Sequence, residues 1–299
     1  MFRRLQQALT KPSASTASWP PNWRDMEIES KWKVAREEDF VQFMEAFPHG
    51  AVVKLGEASY KARVRWGGAP RLFIDSYRDW EGKPLSNNAH SLRARTRFHS
   101  DPSIRTATDV DALNKAHWFE DWQRVQYKST PVRYGAVWFR LERGNCKTRD
   151  DNDGGLCYNT GAKHIMRGNI ESGPLAKHPA RAKLEEDHPN LPDKYPQEVL
   201  LVRDYRYRVV LCSVDEDKDI FEISCDRVFS TTPGQAPVPS FEAELEALPS
   251  EDGDRLTEAQ IKALFLATEA LEGRFPFLQP SDTAKGGIHI PDSTLGGTA

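Results

Sequence analysis

Met26-Glu27-Ile28-Glu29-Ser30-Lys31-Trp32-Lys33-Val34 is the stretch that decides how this chain reads. Side chains alternate across a β-strand, so Glu27, Glu29, Lys31 and Lys33 share one face and Met26, Ile28, Trp32 and Val34 share the other. The apolar face must be buried against something. The charged face then meets bulk solvent or lines an enclosed polar lumen.

The pattern recurs along the chain. In 60–66, Lys61, Arg63 and Arg65 share a face, and in 92–98 Arg93, Arg95 and Arg97 stand opposite Leu92, Ala94 and Phe98. In 135–142, Arg140 and Glu142 oppose Val137, Phe139 and Leu141, with Lys128 on the strand before. Arg206 and Arg208 share a face in 203–214, and Glu222, Ser224 and Asp226 share one in 220–228. On a single strand, a solvated face carrying ion pairs explains such a pattern. Repeated over many strands, with little Thr, Ser, Asn or Gln to dilute the charges, it points to a lumen. Like charges spaced along one sheet face repel unless something neutralises them. A polyphosphate would do this for the arginines, which offer bidentate contacts, and a hard divalent cation would do it for the carboxylates.

Composition narrows the class. The 299 residues carry 41 Lys+Arg against 44 Asp+Glu, a net charge of −3, which argues against a dedicated nucleic-acid binder. Hydrophobic residues make up 38%, enough for one substantial core, and no apolar run has the length of a membrane-spanning helix. Four cysteines without CxxC spacing form neither a disulfide scaffold nor a zinc site. The Asp-rich run 149–155 lacks the leading Asp and closing Glu of a calcium loop, and the eight histidines show neither HxH nor HExxH spacing. The expected location is cytoplasmic. The acid-free, basic residues 1–24 are also compatible with a mitochondrial targeting segment.

The organisation reads as α+β, with an antiparallel barrel as the main element. Residues 1–24 are expected to be a tail. Phe40, Val41, Met44 and Phe47 give a helix over 37–47 that stops at Pro48. Strands are predicted at 50–55, 59–66, 70–77, 91–98, 123–130, 135–142, 198–214 and 219–229, with a helical segment near 109–121. Gly67-Gly68 is expected to turn a hairpin. Residues 143–197 read as an insertion with a short helix around 175–187. A Pro-rich linker covers 231–239, helices follow at 241–248 and 256–272, and a tail starts at Gln279. The two helices, within 231–278, are expected to pack on the barrel.

Glu27-Ile28-Glu29-Ser30-Lys31 resembles the ExExK signature of the triphosphate tunnel metalloenzymes, also called the CYTH superfamily. That group includes class IV adenylyl cyclases, thiamine triphosphatases and inorganic triphosphatases. Phe73-Ile74-Asp75-Ser76 is similar to the family's aromatic–x–Asp–Thr/Ser segment and Leu92-Arg93-Ala94-Arg95 to its LRxR strand. Lys128, Arg140-Leu141-Glu142, Arg206-Tyr207-Arg208 and Glu222 follow in the family's order, so the resemblance covers about 25–230. Three features depart from it, one being that the last hairpin lacks the usual Gly. The family's final ExE reads Glu222-Ile223-Ser224 here, which leaves one metal ligand missing or supplied by Asp226, and the 143–197 connection is longer than usual.

The resemblance implies a closed eight-stranded β-tunnel holding a small-molecule triphosphate. Lys31, Lys33, Arg93, Arg95, Lys128, Arg140, Arg206 and Arg208 would contact the phosphates, and Glu27, Glu29, Glu142 and Glu222 would hold Mg²⁺ or Mn²⁺. Lys31, Glu29 and Arg95 are the expected catalytic residues. The implied activity is metal-dependent hydrolysis of inorganic triphosphate, thiamine triphosphate or a nucleoside triphosphate. A cyclase or a non-catalytic polyphosphate- or nucleotide-binding module is the alternative.

Overall fold

The computed structural model describes residues 19–83, 85–100, 113, 115–129, 131–143, 184–191, 196–249, 256–284 and 288–289. The strands are β1 (Glu27–Val34), β2 (Val52–Leu55), β3 (Ala58–Val64), β4 (Arg71–Asp79), β5 (Ser91–Ser100), β6 (Trp118–Lys128), β7 (Val132–Tyr134), β8 (Val137–Arg140), β9 (Glu142–Arg143), β10 (Gln197–Ser213), β11 (Asp219–Thr231) and β12 (Val238–Ala247). Short pieces β13 (Gln279–Pro280), β14 (Thr283–Ala284) and β15 (Ile288–His289) follow. The two main helices are α1 (Glu37–Glu45) and α2 (Glu258–Arg274).

The described pairings are antiparallel, and the main path of the large sheet runs β7-β8-β1-β12-β11-β10-β4-β5-β6-β9. Strands β8 and β9 are one run of chain interrupted at Leu141. The first half pairs with β1, placing Arg140 opposite Glu27, and the second pairs with β6, placing Glu142 opposite Lys128. Residues 137–143 thus pair with β1 through their first half and with β6 through their second.

The apolar faces bury as the alternation requires. Ile28, Ser30, Trp32 and Val34 of β1 turn to the helical side, where Ser30 and Thr268 share a hydroxyl hydrogen bond and Trp32 Nε1 donates to Glu272 at 3.0 Å. Ile261, Leu264, Thr268 and Leu271 form the buried stripe of α2, and a Thr257–Gln260 capping box starts that helix. Phe40, Phe43 and Met44 bury the inner face of α1, whose first turn carries Glu37, Glu38 and Asp39 at the positive end of the helix dipole.

Several expectations need correction. The predicted helix at 241–248 is a strand, β12, inserted between β1 and β11. Phe241, Ala243, Leu245 and Ala247 fit period two as well as a helix, and the two open strand edges decide the matter. Residues 118–121, placed in a helical segment near 109–121, open β6 instead, while 109–112 lie outside the described residues. Gly67-Gly68 does not turn a hairpin. Strands β3 and β4 both pair with β10 in the same direction, and residues 65–70 form a jog between them. The chain joins the core at Trp19, which stacks at 6.4 Å on Phe265, and beyond Gln279 it still pairs with β1. Of the insertion, 184–187 are helical, 175–183 lying outside the described residues. Among the described residues, no helix is long and apolar enough to cross a membrane.

Candidate functional site

Ladder register carries one face around the sheet. Opposed residues in a ladder share a face. Lys31 stands opposite Glu244, Glu244 opposite Ser224, Ser224 opposite Arg208, and Asp226 opposite Arg206. On the next strands Asp75 stands opposite Arg95 and Tyr77 opposite Arg93, and Arg93 opposite Gln126. Arg140 beside Glu27 completes the row. Glu29, Lys31, Arg93, Arg95, Arg140, Arg206, Glu222, Glu242 and Glu244 are all 9% exposed or less. A solvated sheet face would leave such long charged side chains in water, whereas these are buried.

Its charges are segregated. The β10–β4–β5 side is basic, and the guanidiniums of Arg93, Arg95 and Arg206 are fixed by acids beside them. Asp75 accepts from Arg95 Nε and Nη2 at 2.6 Å each and from Arg93 Nη1 at 3.0 Å. Gln126 takes Arg93 Nε at 2.9 Å. Arg206 bonds both oxygens of Asp226, at 2.7 and 2.6 Å, and reaches Asp204 at 3.3 Å and Glu244 at 3.2 Å. Burial alone would lower the pKa of Arg206, but Asp226, Asp204 and Glu244 outweigh it and hold the guanidinium charged. Arg93 and Arg95 of β5 thus share one carboxylate, Asp75 on the neighbouring strand, which meets part of the charge that the sequence left to a polyphosphate. Arg140 differs. It donates to the carbonyl of Ser129 at 2.7 Å, to Ser91 Oγ at 3.2 Å and to the carbonyl of Ala89 at 3.4 Å, with no carboxylate in ion-pair range among the described residues. Burial lowers its pKa, Arg93 adding to the effect.

The β1–β12–β11 side is acidic. Glu242 and Glu244 hold Lys31 between them, Glu242 at 3.0 Å. These carboxylates more than offset burial and push the Lys31 pKa well up. Glu27 binds Lys128 at 2.5 Å and Glu222 binds Arg208 at 3.1 Å. Glu29 is pushed up to about 7, first by burial, then by Glu244 and Glu27, with Lys31 and Lys128 opposing.

Of the residues expected from sequence, the structure brings Glu27, Glu29, Lys31, Arg93, Arg95, Lys128, Arg140, Arg206, Arg208 and Glu222 onto this face. Lys33 stands at its rim, half-exposed and paired with Asp282 at 2.8 Å. Glu142 lies opposite Lys128, and its side chain lies outside the described residues. Asp226, the acid that could replace the second Glu of the final strand, gives both oxygens to Arg206. Glu242 and Glu244, hidden by the helical reading of 241–248, also lie on this face, paired with Lys31 and, for Glu244, Arg206. Their alternation with Ala243 and Leu245 repeats the signal of β1.

For a divalent cation the donor chemistry fits. Glu29, Glu242 and Glu244 are oxygen donors, buried, and crowded enough to raise the Glu29 pKa. Among the described residues no three such donors already converge as a metal-holding group, because Lys31 occupies the space between Glu242 and Glu244.

No family model and no curated protein matches the chain. Solved structures do. A candidate adenylyl cyclase from Hippeastrum with a dominant triphosphatase activity is 15% identical, covering 87% of this chain and 93% of its own, with a TM-score of 0.47. A candidate adenylate cyclase from Bacillus halodurans is 14% identical over 88% and 96%, TM-score 0.45. The mimivirus capping-enzyme triphosphatase is 11% identical over 82% and 88%, TM-score 0.37.

Proposed function

We propose that the chain is a divalent-metal-dependent triphosphatase, that its sheet closes through residues 137–143 into a tunnel, and that a small triphosphate lies inside. The observation that carries this reading is the buried face itself, with a pre-oriented guanidinium cluster facing an acidic strip. A triphosphate carries about four negative charges at neutral pH, its last ionisation lying near pH 6 to 7. The basic side alone suits it, but the acidic strip would repel it. A cation bound with the phosphates removes that conflict.

In this reading Arg93, Arg95, Arg206, Arg208, Lys128 and Arg140 hold phosphate oxygens, the arginines in geometries that Asp75, Asp226 and Asp204 already fix. Phosphoryl transfer depends mainly on such positioning and on stabilising charge at the equatorial oxygens. Glu29, Glu242 and Glu244, with Glu27, Glu142 and Glu222, are the acids that would hold Mg²⁺ or Mn²⁺, which supplies charge neutralisation and polarises a phosphoryl oxygen. Lys31 keeps Glu242 and Glu244 apart and adds a positive charge beside the phosphates. Cyclisation would need a ribose hydroxyl held beside the α-phosphorus.

The test is phosphate release from tripolyphosphate, thiamine triphosphate and ATP with Mg²⁺ or Mn²⁺, beside Glu244→Ala and Arg95→Ala. Metal-dependent release lost in both variants supports the proposal. Tight binding without release makes the chain a binding module.

A further inference from the structure

Trp32 and Trp138 are the largest fully buried side chains among the described residues, and they lie on opposite faces of the sheet. Trp32 turns to the helical side and gives its indole N–H to Glu272 at 3.0 Å. Trp138 of β8 stands opposite Glu29 of β1, and opposed residues in a ladder share a face. The next residue, Phe139, points the other way, its ring centroid 6.0 Å from that of Trp19 and 6.5 Å from that of Phe265. Trp138 is therefore an aromatic residue on the charged face. Glu29 flanks it across the ladder, and Arg140 flanks it two residues along the strand.

Trp138 is 1% exposed, yet its Nε1–H has no acceptor among the described residues. A buried indole N–H normally finds one, because an unpaired donor forfeits the bonds it made to water. The fold does not require that donor, since a phenylalanine would fill most of the same space without an N–H to satisfy. Arg140 is in a related position. It is 6% exposed and donates to neutral oxygens, the carbonyls of Ser129 and Ala89 and the hydroxyl of Ser91. Strand β8 thus places two donors on the buried face, one neutral and one charged, and neither has a carboxylate partner among the described residues. Residues two apart on one strand stand roughly 7 Å apart, so both side chains can reach one polyphosphate.

We infer that Trp138 is a ligand-binding residue, its indole N–H donating to an oxygen of the bound phosphate chain beside the oxygens held by Arg140. This rests on the triphosphate reading of the site. It deepens that reading by adding a neutral donor next to Glu29, one that binds an anion without drawing the carboxylate into an ion pair.

The test is calorimetric binding of tripolyphosphate with Mg²⁺ to wild type, Trp138→Phe and Trp32→Phe, beside urea unfolding of each without ligand. Both substitutions remove an indole N–H and keep an aromatic ring, one on the charged face and one on the helical side. Trp138→Phe is expected to weaken Kd roughly tenfold while lowering the ligand-free urea midpoint less than Trp32→Phe does. Trp32→Phe is expected to leave Kd within about twofold of wild type, because its lost bond to Glu272 lies off the charged face. An unchanged Kd in Trp138→Phe overturns the proposal. So does a ligand-free midpoint that falls as far in Trp138→Phe as in Trp32→Phe, because the N–H is then paired inside the protein. A wild type that binds no tripolyphosphate overturns the triphosphate reading and this proposal with it, whereas binding that ignores Trp138→Phe overturns this proposal alone.

Discussion

The two sides of the charged face handle buried charge in opposite ways. On the basic side, acids shielded from solvent lie beside the guanidiniums. Asp75, Asp204 and Asp226 are each 0% exposed, and they hold Arg93, Arg95 and Arg206 in fixed geometry. On the acidic side, two glutamates share Lys31, and Glu29 is left with a pKa raised to about 7. One side offers guanidiniums held in place by acids, whereas the other crowds several glutamates around Lys31 and Lys128. A rigid set of donors and a crowded set of acids together suit a ligand that brings anion and cation at once.

The contrast can be broken at its strongest point first. Asp75→Ala leaves Arg93 and Arg95 buried side by side without their shared counterion, and stability should drop by about 3–5 kcal/mol, read from urea unfolding. A loss below about 1 kcal/mol would mean that the basic side is not pre-organised by Asp75. Next, Arg95→Ala should cut metal-dependent phosphate release by at least about a hundredfold, while Asp75→Asn, which keeps the shape but loses the charge, should cost less activity than stability.

Glu29→Gln sharpens the acidic side through pH. Because burial and Glu244 raise the Glu29 pKa in the folded protein, the proton is bound more tightly in the folded chain than in the unfolded one. The stabilisation from that proton is present below about pH 4.5 and is lost as pH rises through about 7. In chelator-containing buffer, wild type should therefore lose stability relative to Glu29→Gln across that window. A constant difference between the two would show that Glu29 is not crowded by its neighbours. The smallest effect belongs to Lys33→Ala. Its pair with Asp282 is about half-exposed on both partners, so stability should move by less than about 1 kcal/mol and activity by under about threefold.

Much of this was legible in the sequence because charge in alternation with apolar residues is hard to satisfy except on a strand with two different sides. Strands β1, β5, β10 and β11 were read for that reason. Strand β12 was not, although Glu242-Ala243-Glu244-Leu245-Glu246 shows the same alternation. Glu, Ala and Leu are strong helix formers, and in a short run Phe241, Leu245 and Leu248 also fit helical spacing. Only the open edges of β1 and β11 decide between the two, and an edge is a tertiary fact. The cost was specific: Glu242 and Glu244 went unseen, and Ser224 looked like a lost ligand. Asp75 was recognised in a motif but not as the counterion of Arg93 and Arg95, because register across strands sets that contact.

The central claim is that the acidic side exists to be completed by a cation carried with a polyphosphate. The most direct measurement is calorimetric binding of tripolyphosphate to wild type and Glu244→Ala, each with Mg²⁺ and with chelator. Tight binding of wild type only when Mg²⁺ is present, with that dependence lost in Glu244→Ala, is the predicted result. Equal binding of tripolyphosphate by wild type with and without Mg²⁺ would contradict the account.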